Sequence, residues 1–180
     1  MDGINPEQFQ QLLGQLFAAI NNHEPAALAK INALLEKIPE EPNLLHLAGL
    51  ASADQNQLSA AIDYFLRSLS RQSEQPEVHN NLANVYAKQG NDLLAEKHYR
   101  QALQLNPDFQ DALKNLGLLL ISVSPEAAVV ELDRAIAQNS KDIGALTGLG
   151  DAHKALENFE LSTEYYQRAL EINPNHVTAR

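Results

Sequence analysis

The chain has no cysteine among its 180 residues, which removes disulfides, thiolate metal ligands and lipid attachment through cysteine. It has no tryptophan and only 6% aromatic residues, and β-branched residues rarely fall in runs. Alanine, leucine, glutamine and glutamate dominate instead, and these favour helices over strands. The composition predicts an all-α protein. Cations are scarce too: 13 Lys and Arg stand against 23 Asp and Glu, a formal charge of −10. Such a field repels nucleic acid and anionic lipid, so neither is an expected partner. The opening MDGINPEQFQ has no positive region leading into an apolar one, and the longest apolar run, around Leu116 to Val123, is too short to span a bilayer. The expectation is a cytoplasmic protein without a membrane segment.

Motifs that carry chemistry are equally sparse. GLGDAH, containing Gly148, Gly150 and His153, starts like a dinucleotide fingerprint but lacks its third glycine and a preceding strand. The six histidines are scattered, no two at a spacing of four, with no cysteine to support them. No nucleophile elbow, phosphate loop or carboxylate pair stands out, and Glu40 with Glu41 reads as solvated charge at a helix end. No catalytic residue, cofactor or metal is expected.

What the chain does have is repetition. AEKHYRQALQLNPDF begins at Ala95 and STEYYQRALEINPNH at Ser162, with Tyr99, Ala102, Leu105 and Pro107 matching Tyr166, Ala169, Ile172 and Pro174. Each stretch follows a shorter helical pattern, VHNNLANVYAKQG in one case and ALTGLGDAHKALE in the other. The unit is helix, turn, helix.

This unit resembles the tetratricopeptide repeat, a hairpin of about 34 residues with large side chains at its positions 4, 7, 11 and 24, small ones at 8, 20 and 27, and proline at 32. The match is close over 76–109. It extends back over 42–75 and forward over 110–142, where one residue is missing from the turn, and over 143–176. The shortened turn SVSPEAA keeps Ser124 as a helix N-cap, with Pro125 first in the helix. Residues 1–41 fit loosely as a divergent leading hairpin, with Leu13, Gly14 and Phe17 near the slots of the first helix and Ala27, Ile31 and Leu34 near those of the second. Residues 177–180 open a further first helix. The resemblance implies a right-handed superhelical solenoid of antiparallel hairpins, in which small residues let helices nest and stacking buries what one hairpin cannot.

The resemblance also implies that the first helix of each hairpin faces a concave groove. Residues placed there include Asn80, Asn81, Asn84 and Lys88, then Lys114, Asn115 and Leu118, then Thr147, Asp151 and Lys154. Asparagine is a poor helix former, so its recurrence inside helices suggests carboxamides held for an extended peptide backbone. Asn81 and Asn115 share one slot, similar to the asparagine ladder of the O-GlcNAc transferase groove. Exposed asparagine merely tolerated on a polar face is an equally weighted reading. The clamp that holds EEVD-type chaperone tails needs cations, and at its slots this chain has Asn80, Asn84, Asn115, Gly144 and Gly148. Both asparagines match and every cation is missing, so a chaperone tail is not the expected ligand. The expected function is a non-enzymatic scaffold for a peptide or protein. The alternative is the recognition arm of a larger enzyme, such as a glycosyltransferase or sulfotransferase, to which the chain would be N-terminal. An uncapped last hairpin, with Tyr166 and Ala169 on its stacking face, makes end-to-end self-association a further expectation.

Overall fold

A computed structural model describes residues 5–176, and among them it contains ten α-helices and no strand. The expected further helix at 177–180 lies outside the described residues. Contacts divide the chain into two units, 1–89 and 90–180. The first holds α1 (Pro6–Asn21), α2 (Ala27–Leu35), α3 (Pro42–Asp54), α4 (Leu58–Arg71) and α5 (Pro76–Lys88); the second holds α6 (Asp92–Leu105), α7 (Gln110–Leu120), α8 (Pro125–Gln138), α9 (Ile143–Ala155) and α10 (Phe159–Ile172).

The helix ends follow from local chemistry. Pro42, Pro76 and Pro125 open α3, α5 and α8, where the missing N–H costs nothing. Ser124 does occupy the N-cap of α8, but its side chain makes no capping bond. First helices end on a left-handed residue at the same point of the turn: Asn56 (φ 59°), Gly90 (φ 74°) and Glu157 (φ 58°). After Asn56 and Glu157 the next amide closes on a carbonyl five residues back, Gln57 to Ser52 and Asn158 to His153, each at 2.8 Å. The turn after α7 is the one short of a residue. Its C-cap Ile121 stays right-handed, and the Val123 and Ser124 amides both fall on the Leu120 carbonyl. The residue lost from that repeat is thus the left-handed one.

Small residues mark where two helices of a hairpin touch. A methyl added at Gly117 would lie 2.5 Å from Leu132, and one at Gly150 would lie 2.5 Å from Tyr166; at Gly49 it would run into Phe65. Each of these partners is the large residue near the middle of the following helix. Ala61, Ala95, Ala102, Ala128, Ala135 and Ala169 have no exposed surface. Where serine replaces alanine at such a contact, its hydroxyl donates to a neighbouring helix's carbonyl: Ser162 to Gly150 at 2.8 Å, and Ser68 to Pro42 at 2.9 Å. A buried hydroxyl is thereby satisfied at no cost in volume.

The leading hairpin departs from expectation. Gly14 has open space around its Cα and Phe17 is 48% exposed, so neither occupies a packing slot. The buried face of α1 is Leu16, Ala19 and Ile20, which join Ala27 and Ile31 of α2 and Leu44, Leu47, Ala48 and Ala51 of α3. The last hairpin is packed internally. Ala169 is fully buried in a cluster with Leu146, and Tyr166 lies over Gly150 with its hydroxyl donating to Asp151 at 2.5 Å. Tyr166 itself stays half-buried, and Phe159 on the same helix is 63% exposed.

A further device recurs on the second helices. Tyr64, just before Phe65, donates its hydroxyl to Asn32 at 2.9 Å, and Arg67 lies 5.6 Å over its ring. Tyr165, just before Tyr166, points its hydroxyl at Asp133 (3.5 Å), and Arg168 lies 5.2 Å over it. The tyrosine bridges to the preceding hairpin's second helix, and the arginine three residues later covers it. Arg67 also bonds Glu40 through Nε (3.1 Å) and Nη2 (2.6 Å), tying α4 to the turn ahead of α3.

Candidate functional site

The asparagines of α5 differ in exposure. Asn80 is only 5% exposed and so offers little surface, Asn81 is half-buried, and Asn84 and Lys88 are exposed. The Asn81 side-chain amide lies 3.0 Å from His46 Nε2 on α3. Burial pulls the His46 pKa down to about 4, against a weaker upward pull from Glu77. The ring is therefore neutral near pH 7, and its Nε2 accepts the amide's hydrogen bond. His46 in turn sits against Phe65, with ring centroids 5.9 Å apart. One N–H of Asn81 is thus committed to orienting the carboxamide, a link between consecutive first helices that the sequence did not reveal.

In the second unit Asn115 is half-buried on α7, and Leu118 is 39% exposed. Lys114 bonds Asp111 at 3.2 Å and Asp142 at 3.3 Å. Burial works against its charge, but the two carboxylates outweigh it and raise the ammonium pKa. Asp142 caps α9 by accepting from the Ala145 amide and also accepts from Gln110. Burial would raise its carboxyl pKa; the Ala145 N–H and Lys114 prevail and lower it. Lys114 is therefore a neutralised strut between α7 and α9. Thr147 is 7% exposed, and its hydroxyl is spent on the Ile143 and Gly144 carbonyls of its own helix. Asp151 is exposed but accepts from Tyr166, whose pKa is pushed up to about 12 by burial and by that bond. Lys154 is exposed. A methyl at Gly148 would meet Leu118 at 2.6 Å and Leu132 at 3.1 Å, so a cation cannot take the clamp position there without displacing leucine.

His79 and His153 are each 9% exposed, and His153 stacks on Tyr165 at 5.5 Å and 4°. Among the described residues no three His, Cys, Asp or Glu side chains gather to hold a metal, and no helix is long and apolar enough to cross a membrane. A cleft of about 230 Å³ lies in the second unit, lined by Arg100, Leu103, Gln104, Leu116, Glu131 and Arg134. Sequence reasoning missed it, although a signal existed. Glu131 precedes Leu132 where Tyr64, His98 and Tyr165 precede Phe65, Tyr99 and Tyr166.

A family model described as the tetratricopeptide repeat matches residues 76–109 and 144–176. The DnaJ homolog subfamily C member 7 homolog of Schizosaccharomyces pombe is 30% identical over 119 residues, which cover 63% of this chain and 25% of that protein. The chain spans about half or less of the length of the curated relatives it matches. The solved structure of YrrB, described as a TPR protein with an unusual peptide-binding site, aligns with a TM-score of 0.76 at 23% identity and covers 92% of this chain and 85% of that one. Pseudomonas aeruginosa pilF aligns with a TM-score of 0.85 at 15% identity, over 94% and 78%. At such identities the structural likeness establishes the fold.

Proposed function

We propose that this chain, a tetratricopeptide-repeat protein, is a non-enzymatic scaffold that holds an extended peptide or protein segment against the first helices of its hairpins. The reading divides it into a divergent hairpin at 1–41 and repeats at 42–75, 76–109, 110–142 and 143–176. The observation that carries it is the oriented carboxamide. Asn81 sits inside a helix, where asparagine is unfavourable. His46 holds it in place at 3.0 Å, an arrangement that presets a peptide-binding amide at little entropic cost. Asn115 takes the equivalent place on α7. In each unit the face is completed by exposed groups: Asn84 and Lys88 in the first, Leu118 and Lys154 in the second. The described peptide-binding site of YrrB supports a peptide as ligand. The clamp positions at Asn80, Gly144 and Gly148 carry no cation for an EEVD-type tail, and Gly148 is closed in by leucine.

The test is a peptide library panned on the wild-type protein and retitrated on variants. Two hydrogen bonds of about 0.5–1.5 kcal/mol each predict that Asn81→Ala with Asn115→Ala weakens the selected peptides by about 1–3 kcal/mol while leaving helicity intact. Unchanged affinity rejects the asparagine ladder. The second reading, a recognition arm of a larger enzyme, draws on the much greater length of the curated relatives. It places the same faces in the same role, with catalysis outside these residues.

A further inference from the structure

The cleft beside Glu131 interrupts a pattern that the chain itself displays twice. In the hairpins of α4 and α10, the residue before the central aromatic is a tyrosine that fills the gap to the preceding second helix. An arginine covers its ring, and its hydroxyl ends on Asn32 or Asp133. In α8 the arginine remains as Arg134, but Glu131 stands in place of the tyrosine. Arg100 occupies the position equivalent to Asn32 and Asp133, once the residue missing from this repeat is allowed for. What the tyrosine would fill is left open, about 230 Å³ over Leu103 and the fully buried Leu116. Small-molecule sites start near 300 Å³, so the space suits one large side chain better than a free metabolite.

The walls are held in place. Arg134 donates to Glu131 at 2.6 Å and to the Pro107 carbonyl at 2.7 Å, which pins α8 to the turn after α6. Arg100 is fixed by Glu96 through Nε (3.1 Å) and Nη2 (2.8 Å). Two oriented guanidiniums over an apolar floor attract a ring face, and a guanidinium also donates to a phenolic oxygen.

We propose that this cleft is a second docking site, separate from the first-helix faces, and that it takes an aromatic side chain, tyrosine above all, from a partner polypeptide. The ring lies on Leu103 and Leu116 beneath Arg134, and the hydroxyl accepts from Arg100. Tyr64 and Tyr165 are the templates for this pose. The proposal does not depend on the asparagine faces, and its readout is local to the cleft.

The probe is N-acetyl-tyrosinamide, with N-acetyl-leucinamide as the apolar control, followed by backbone amide shifts at Leu103, Gln104, Glu131 and Arg134. The tyrosine probe is expected to saturate these shifts at least tenfold more tightly than the leucine probe. Glu131→Tyr, which fills the space from within, abolishes the response, and Arg134→Gln weakens it while sparing helicity. Equal response to both probes, no saturation in the wild-type protein, or an unchanged response in a folded E131Y variant overturns the proposal. Shifts at the same amides on raising protein concentration alone assign the cleft to a second copy and overturn the partner assignment.

Discussion

Glycine in a helix is destabilising by about 1 kcal/mol relative to alanine, yet two glycines of this chain respond to that rule in opposite ways. Gly14 lies inside α1 with nothing near its Cα, so Gly14→Ala is expected to raise stability by about 0.5–1 kcal/mol. A methyl on Gly150 would lie 2.5 Å from the Tyr166 ring, which its bond to Asp151 holds in position. Overpacking of about 1–3 kcal/mol outweighs the helix gain, so Gly150→Ala lowers the melting temperature; denaturant titration of both variants reads the two signs. His46 supplies a pH counterpart. Its folded pKa of about 4 lies below the ordinary 6.5, so between those values the unfolded chain binds the extra proton. The stability tied to neutral His46 is complete above pH 6.5 and is lost as pH falls towards 4. At about 1.4 kcal/mol per unit, this is the order of a few kcal/mol. His46→Phe keeps a ring beside Phe65 but cannot titrate, so its stability falls less steeply than wild type across that window. Parallel pH curves for the two proteins would remove His46 as the cause.

At the scale of the helix and hairpin, the sequence revealed most where side-chain size is the signal. The small residues at Ala95, Ala102, Ala128 and Gly150 fall on a fixed period because two backbones must meet there, and they are buried as that period demands. The missing residue before α8 was equally visible, and its meaning became clear from the backbone: the left-handed position of Asn56, Gly90 and Glu157 has no counterpart after α7. The α1 register was misread because Leu13, Gly14 and Phe17 have the right sizes in the right order. Apolar residues surround the helix closely enough that Leu16, Ala19 and Ile20 provide an alternative face, and contact with α2 and α3 selects it. For the candidate faces, sequence gave which residues lie on first helices but not how their polar groups are used. Lys114, Thr147 and Asp151 turn to Asp142, to their own backbone and to Tyr166. Those partners lie on other elements or depend on rotamers, and neither is encoded by spacing along one helix.

For the whole molecule the decisive number is the formal charge of −10, because it acts at distances where no individual side chain does. Much of the local positive charge is already paired, with Arg67 on Glu40, Arg100 on Glu96, Lys114 on Asp111 and Asp142, and Arg134 on Glu131. The far field is therefore acidic, while the carboxamides that would grip a backbone are neutral. The two terms separate by kinetics. A long-range field changes how often partners meet, whereas short hydrogen bonds change how long they stay. For a cationic peptide selected on the wild-type protein, the association rate is expected to fall at least severalfold as the Debye length shrinks from about 30 Å at 0.01 M salt to about 3 Å at 1 M. Its dissociation rate should move far less. Asn81→Ala with Asn115→Ala should do the reverse, speeding dissociation while leaving the salt slope of association unchanged. Surface-based kinetic measurements over that salt range test both together. An association rate indifferent to salt would mean that the acidic field does not select partners, and a double variant that altered only association would place the asparagines outside the bound complex.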